Sequence, residues 1–342
     1  MQAAIFSGPH NISVKDQSLP KLKEGELLIK VGACGVCGTD FHIFEGSAPA
    51  KPPVVLGHEY TGEIADAAPD VRGYVTGQRV AINPNIHCGY CEYCRRGKIN
   101  LCLNLKALGV TIDGGFSEYS IVPVTQAHIL PKNFPFEISA FAEPLSCCVH
   151  GINQASIKTG DTAAIVGAGP IGLLMLQLAQ ISGASVTYVV DISGEKRKIA
   201  KELMADFVFD PSDEEFSESF QDISKGGADV VIECVGSEIA AKTALSIAKK
   251  GGTLLIFGLA GPKAVISVFL QEFFHKELTI KSSILNPNTF QTAVDLLVSG
   301  KIKTSLFKKE GVPLGDDQIT SLFTTPRDSS VIKYMIVPNK TE

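Results

Sequence analysis

The hydrophobic pattern changes character twice along the chain. Up to about residue 147 the apolar positions come in short runs, at 26–31, 62–67, 79–82 and 119–122, bounded by Gly, Pro, Asn or Asp. Runs of that length between turn formers predict β-strands, and no stretch there has the periodicity of a long helix. Many short strands with Gly/Pro turns predict a barrel-like, mainly β domain. From about 148 the runs lie at 163–166, 186–190, 208–209, 229–234, 254–257 and 278–283, most of them separated by helical stretches such as 171–181, 195–203 and 239–248. Strands covered by helices on both faces read as continuous apolar runs. The alternation therefore predicts a doubly wound parallel α/β sheet of about six strands. A third texture begins near 289, with a helical stretch at 290–298 ended by Gly300 and short runs such as 331–337. That tail is too small for a core of its own. The expected organisation is 1–147 completed by 289–342, with 148–288 inserted between them.

Composition narrows the class. The chain has 342 residues, 45% apolar and 20% charged, which suits two globular domains. The net charge is −5 and no block of five like charges occurs. Nucleic acid and anionic membrane are therefore poor partners. The first residues carry neither the basic nor the long apolar region of a secretory leader. The stretch 162–192 is long enough to resemble a membrane span. Gly167, Gly169, Pro170, Gly172 and Gly183 break it, and Gln177 and Gln180 lie inside it, so strand, turn, buried helix and strand is the better reading. Nine cysteines occur, an odd number, and Cys88, Cys91, Cys94 and Cys102 fall within fifteen residues. That spacing reads as metal binding and not as a disulfide framework, and the expected compartment is the cytosol.

Three constellations carry chemistry. Four thiolates at Cys88, Cys91, Cys94 and Cys102 complete a tetrahedral shell, the preference of a structural zinc ion, with no position left for substrate. Gly167-Ala168-Gly169-Pro170-Ile171-Gly172 follows an apolar run and opens a helical one, and Asp191 ends the next run nineteen positions after Gly172. That is the dinucleotide fingerprint. Gly167 permits the turn, Gly169 admits the pyrophosphate, Gly172 lets helix and strand approach, and Asp191 receives the adenosine ribose. A 2′-phosphate would meet the Asp191 carboxylate, which favours NAD over NADP. Lys196, a further candidate contact to the cofactor, and its neighbour Arg197 work slightly the other way. The third set is dispersed: Cys37, Thr39 and His42, then Gly57-His58-Glu59, then Glu143. One thiolate, one imidazole and one carboxylate can hold zinc with an open fourth position.

These motifs, in this order, resemble the zinc-containing medium-chain dehydrogenase/reductase family over essentially the whole chain. Glu143-Pro144-Leu145-Ser146-Cys147-Cys148 is most similar to the polyol (sorbitol- and pentitol-type) dehydrogenases. The resemblance implies a GroES-like catalytic domain and a Rossmann cofactor domain. It also implies two zinc ions per chain and NAD-linked oxidation of a secondary alcohol, a polyol or sugar alcohol, free or phosphorylated. Cys37, His58 and a glutamate would hold the catalytic zinc, and Glu59 and Glu143 both qualify. Thr39 would take the hydroxyl proton and pass it through a nicotinamide-ribose hydroxyl to His42 and solvent. An L-threonine-type or 2,3-butanediol-type dehydrogenase is the runner-up, and a recruited protein without catalysis is a remote alternative. A dimer or tetramer is expected, from the resemblance and from the apolar runs 254–257 and 278–283. Gln78 stands where the family commonly has Asp, at a position that reads as structural. Cys34, Cys147, Cys148 and Cys234 read as buried small hydrophobes. Asp213, Glu214, Glu215, Glu218 and Asp222 read as an exposed acidic face.

Overall fold

The structure, a computed structural model, describes residues 1–338. The chain divides into two compact units, Met1–Ser146 with the segment from Leu285 onward, and Cys147–Ile284. The second crossing lies at 284/285, a few residues before the expected 289. The first falls inside the helix Ala142–Ala155, which the short-strand pattern around it did not reveal. Its Pro144 stands in the first turn, where a missing N–H costs nothing.

The first unit is built on a seven-stranded sheet. Ala127–Ile129, Arg79–Ile82, Glu59–Ala67, Glu26–Gly35, Lys333–Val337 and Lys309–Pro313 lie side by side in that order, and Tyr119–Pro123 also pairs with Glu26–Gly35. Glu26–Gly35 is the central strand. Seven of its residues are buried, so it reads as a continuous apolar run. Cys34 and Gly35 at its end pair with Tyr60 and Glu59 on one side and with Ile336 and Met335 on the other. The C-terminal strand thus completes the sheet beside the point where the central strand ends. Leu27, Ile29, Val31, Tyr60, Ile64, Phe116 and Phe323 belong to the core of this unit.

The second unit is a six-stranded sheet with every pairing parallel. Its spatial order is Phe207–Phe209, Val186–Val190, Thr162–Val166, Ala228–Glu233, Ala248–Ile256 and Thr279–Ser282. The order reverses beside Thr162–Val166, the place where α/β sheets of this type receive ligands. The helix Pro170–Ile181 follows that strand, with Gly169 at its N-cap and Pro at its first position. Residues 172–179 are all buried, which explains an apolar stretch long enough to imitate a membrane span. Among the described residues no helix is long and apolar enough to cross a membrane.

The turn between strand and helix is set by backbone contact. Gly167 has φ of +97°, and a Cβ on Gly172 would sit 1.7 Å from the Gly167 carbonyl oxygen. Nothing lies within 4 Å of the corresponding point on Gly169, so that face of the turn is open. Gly172→Ala should therefore push the helix off the strand. The expected outcome is a loss of about 2 kcal/mol or more of stability, the scale of overpacking, with dinucleotide binding lost at the same time. Thermal unfolding and calorimetric titration with NAD check both.

Candidate functional site

Among the described residues two groups of side chains are arranged to hold a metal ion. In the first, Cys88, Cys91, Cys94 and Cys102 bring their sulfurs within 4.8 Å of one another. Short helical turns, Glu92–Arg95 and Ile99–Leu101, fold the loop so that the sulfurs converge. Backbone N–H groups of Cys88 and Asn104 point at the Cys102 sulfur at 3.3 and 3.4 Å, the usual support for a thiolate. Burial works against Cys88, but the N–H groups of Tyr90 and Cys91 and the neighbouring thiol and amide draw it down to about 6. Burial and the Cys91 thiol push Cys94 up to about 12. A cation in their midst would let all four ionise, so the donor set fits a closed zinc site.

The second group is Cys37, His58 and Glu59, whose donor atoms also lie within 4.8 Å of one another. Cys37 follows the central strand and caps the helix Gly38–Phe44, while Glu59 opens the neighbouring antiparallel strand. Strand pairing itself therefore delivers the donors to one place. Asp40 is fully buried; its Oδ2 accepts the Cys37 N–H at 2.8 Å and its Oδ1 lies 3.4 Å from His58 Nδ1. Burial would hold His58 neutral, but Asp40 outweighs it and keeps the ring's pKa well above its ordinary value. With a metal on the other nitrogen, Asp40 would hold the Nδ1–H tautomer. Oδ1 of Asp40 and Nδ1 of His58 are buried and face only each other, which leaves the other ring nitrogen as the donor available to a metal.

Glu59 has a partner that sequence reasoning missed. Lys333 on the C-terminal strand is ion-paired with its Oε2, and the two side chains are only 5% and 1% exposed. Burial would lower the Lys333 pKa, but Glu59, Cys37 and Asp40 outweigh it and hold the ammonium above its ordinary range. The two side chains meet over Gly35. A Cβ there would lie 2.3 Å from Glu59 Oε2 and 2.8 Å from Lys333 Cε. The available signal was a lone lysine in the apolar run 331–337, at a buried position. Glu143 is buried at the start of its helix and does not belong to the Cys37–His58–Glu59 group.

Thr39 and His42 lie three apart on the helix Gly38–Phe44, hence on one face. The His42 Nδ1 lies 3.2 Å from the Ser47 hydroxyl, and its carbonyl accepts from the same hydroxyl at 3.1 Å. Ser47 is a second residue that the motifs did not indicate. In the other unit, Asp191 Oδ2 accepts the Ala168 N–H at 2.6 Å and Oδ1 accepts the Ser193 N–H at 2.8 Å. Its carboxylate is thus tied to the glycine-rich turn, and each oxygen keeps a second lone pair for a hydroxyl. Ser193 caps the helix Gly194–Glu202, which carries Lys196. Ile171, the second residue of the helix Pro170–Ile181, follows Gly169 and Pro170 at the mouth of the turn. Cys34 and Cys148 are fully buried as expected, whereas Cys147 and Cys234 are only half-buried. Gln78 Oε1 accepts the Val75 N–H at 3.0 Å within its turn, a structural contact.

Residues 23–132 match the family described as alcohol dehydrogenase GroES-like domain, and residues 170–299 match zinc-binding dehydrogenase. D-arabinitol dehydrogenase 1 of Uromyces fabae is 34% identical over 89% of this chain and 88% of its own. L-threonine 3-dehydrogenase of Pyrococcus horikoshii is 38% identical over 83% of each. A structure from Sinorhizobium meliloti, assigned as a zinc-binding dehydrogenase and bound to NADP, superposes with a TM-score of 0.94 at 37% identity, covering 98% of this chain and 99% of that one. The chain belongs to the zinc-containing medium-chain dehydrogenase family, and it is an enzyme of its alcohol and polyol dehydrogenase class.

Two outcomes follow for the metal groups. Cys94→Ser should lower the melting temperature by 10 °C or more, on the order expected when a closed metal site is opened, and differential scanning calorimetry reads this directly. In the zinc-free protein Lys333→Met leaves the Glu59 carboxylate buried without its counter-charge and should cost about 3–5 kcal/mol in denaturant unfolding. Adding Glu59→Gln to Lys333→Met should recover a large part of that loss, because the unpaired charge is then gone.

Proposed function

We propose that the chain is a zinc-dependent, NAD-linked dehydrogenase of secondary alcohols, with polyols or sugar alcohols, free or phosphorylated, as substrates. The observation that carries the reading is the buried convergence of Cys37, His58 and Glu59, backed by Asp40 and Lys333. Three protein donors leave a fourth position for a substrate oxygen. Zinc bound there supplies a Lewis acid that makes the alcohol hydroxyl more acidic, and NAD supplies the hydride acceptor. Every other part falls to side chains. Asp40 orients His58. Lys333 holds the Glu59 carboxylate in place. Thr39 relays the hydroxyl proton, since a hydroxyl can accept one proton while donating its own. His42, steadied by Ser47, passes that proton on to solvent. Asp191 receives the adenosine ribose, and its charge disfavours a 2′-phosphate. Glu59 is the carboxylate assigned to the metal, and the four-cysteine group holds a second zinc with a structural role.

The second reading is an L-threonine-type dehydrogenase, favoured by the 38% identity to the Pyrococcus horikoshii enzyme. A panel of D-arabinitol, xylitol, sorbitol, their phosphates, 2,3-butanediol and L-threonine, with NAD and with NADP, separates the two. The highest kcat/KM should fall on a polyol with NAD. L-threonine as the best substrate would replace the reading with the second, and turnover of none would refute both. Thr39→Val keeps the shape and removes the relay, so steady-state alcohol oxidation should fall by roughly 10²–10⁴, with zinc content unchanged.

Self-association belongs to the same proposal. Thr279–Ser282 is the outer strand of the six-stranded sheet, and the preceding segment exposes Phe269, Leu270 and Phe274 at about 80% each. An edge and apolar rings of that kind call for cover. Light scattering at micromolar concentration should give the mass of a dimer or tetramer, and a monomer would contradict it.

A further inference from the structure

A relative of this fold holds NADP, so the fold itself admits a 2′-phosphate and the choice of cofactor lies in side chains. One cation is placed to serve that phosphate. Arg197 lies six positions after Asp191, on the helix Gly194–Glu202. An arginine near this carboxylate is the usual means of receiving the 2′-phosphate of NADP. Here the guanidinium is already engaged. Its Nη1 donates to the Asp191 carbonyl at 2.5 Å and to Asp210 Oδ2 at 2.7 Å.

The engagement follows from sheet register. Val190 and Phe209 are paired across parallel strands, and the Asp191 N–H donates to the Phe209 carbonyl at 3.1 Å. Asp191 and Asp210 therefore leave the sheet side by side, and Arg197 reaches back to both. Asp210 is itself fixed: its Oδ1 accepts the Ser212 N–H at 2.9 Å and the Ser212 hydroxyl at 2.5 Å. Those bonds and then Arg197 hold the carboxyl below its ordinary range, so it stays ionised at neutral pH. Around the pair lies a cavity of about 510 Å³ lined by Arg197, Asp210, Asp213, Glu214, Glu215 and Phe216. The acidic face thus has a location: its N-terminal part borders the one guanidinium in that cavity.

We propose that Asp210 is a positioning residue for cofactor choice: it locks Arg197 against the sheet and so withholds from a 2′-phosphate the cation that would bind it. Discrimination against NADP then has two parts, the charge of Asp191 and the captured guanidinium. The inference rests on the NAD reading above and deepens it.

The test uses the zinc-loaded full chain and calorimetric titration with 5′-AMP and 2′,5′-ADP, which differ by the phosphate in question. The unaltered protein should bind 5′-AMP more tightly. If it prefers 2′,5′-ADP, the NAD reading falls and the lock with it. Asp210→Asn should raise affinity for 2′,5′-ADP relative to 5′-AMP by about tenfold, the scale of one freed charge-assisted contact, and added salt should erode the gain. The gain should vanish in Asp210→Asn combined with Arg197→Met. An unchanged ratio in Asp210→Asn would overturn the lock while leaving the NAD reading in place. A gain that survives Arg197→Met would also overturn it, because removal of negative charge alone would then explain the effect. Asp210→Ser, which removes the charge and shortens the side chain, gives an independent reading should Asp210→Asn fail to fold: the same rise in 2′,5′-ADP affinity relative to 5′-AMP is expected, and an unchanged ratio would overturn the lock.

Discussion

The buried pair of Glu59 and Lys333 is the constraint around which the first unit is organised. A carboxylate 1% exposed in an apolar sheet is untenable alone, since burying an unpaired charge costs several kcal/mol. Its ammonium comes from residue 333, far along the chain. The C-terminal strand must therefore return to lie beside the central strand Glu26–Gly35, and Gly35 must lack a side chain so that the pair can close over it. The same register sets Cys37 just past the end of that strand and His58 just before the start of the next. Placement of the metal donors and neutralisation of the buried charge are thus one arrangement. The discontinuity of this unit in sequence is its consequence: the chain between Cys147 and Ile284 forms the cofactor unit before the last strand comes back.

In the function proposed above, the two groups would divide labour by the number of donors. Four sulfurs in the Cys88–Cys102 loop fill a tetrahedral shell and can only brace the loop. Three unlike donors around Cys37 leave a position for chemistry. The surroundings differ accordingly. Sulfurs in the loop are supported by backbone N–H groups, which stabilise thiolates without competing for the metal. The Cys37 group is supported by Asp40, which faces His58, and by Lys333, which is ion-paired with Glu59. Such outer partners hold ligands to productive geometry when a substrate must also fit.

Much of this was legible in the sequence where one local rule sufficed. The glycine-rich turn could be read from Gly167, Gly169 and Gly172 because each answers to a backbone requirement within six residues. The cysteine loop could be read from spacing alone. Relations across strands were not legible. Whether Glu59 or Glu143 joins Cys37 and His58 depends on which strand neighbours the central one, and no periodicity encodes that. Lys333 hid for the same reason, as an anomaly in an apolar run without a visible partner. Short helices escaped too: Asp316–Thr324 buries only Ile319, Leu322 and Phe323, too few positions to declare a period. The strand Ala248–Ile256 is longer than its apolar run because Lys249, Lys250 and Gly251 belong to it without being buried. The charge of Arg197 alone argues mildly for NADP, whereas the structure engages that charge with the Asp191 carbonyl and Asp210.

The proposed function rests on Glu59, brought to Cys37 and His58 by strand register and balanced by Lys333, as the carboxylate of the second metal site. Zinc content per chain, measured by mass spectrometry of the metal in Glu59→Ala, Glu143→Ala and the unaltered protein, addresses it most directly. The account predicts two zinc ions in the unaltered chain and in Glu143→Ala, and one, held by the four cysteines, in Glu59→Ala. Retention of both ions in Glu59→Ala together with loss of one in Glu143→Ala would contradict it.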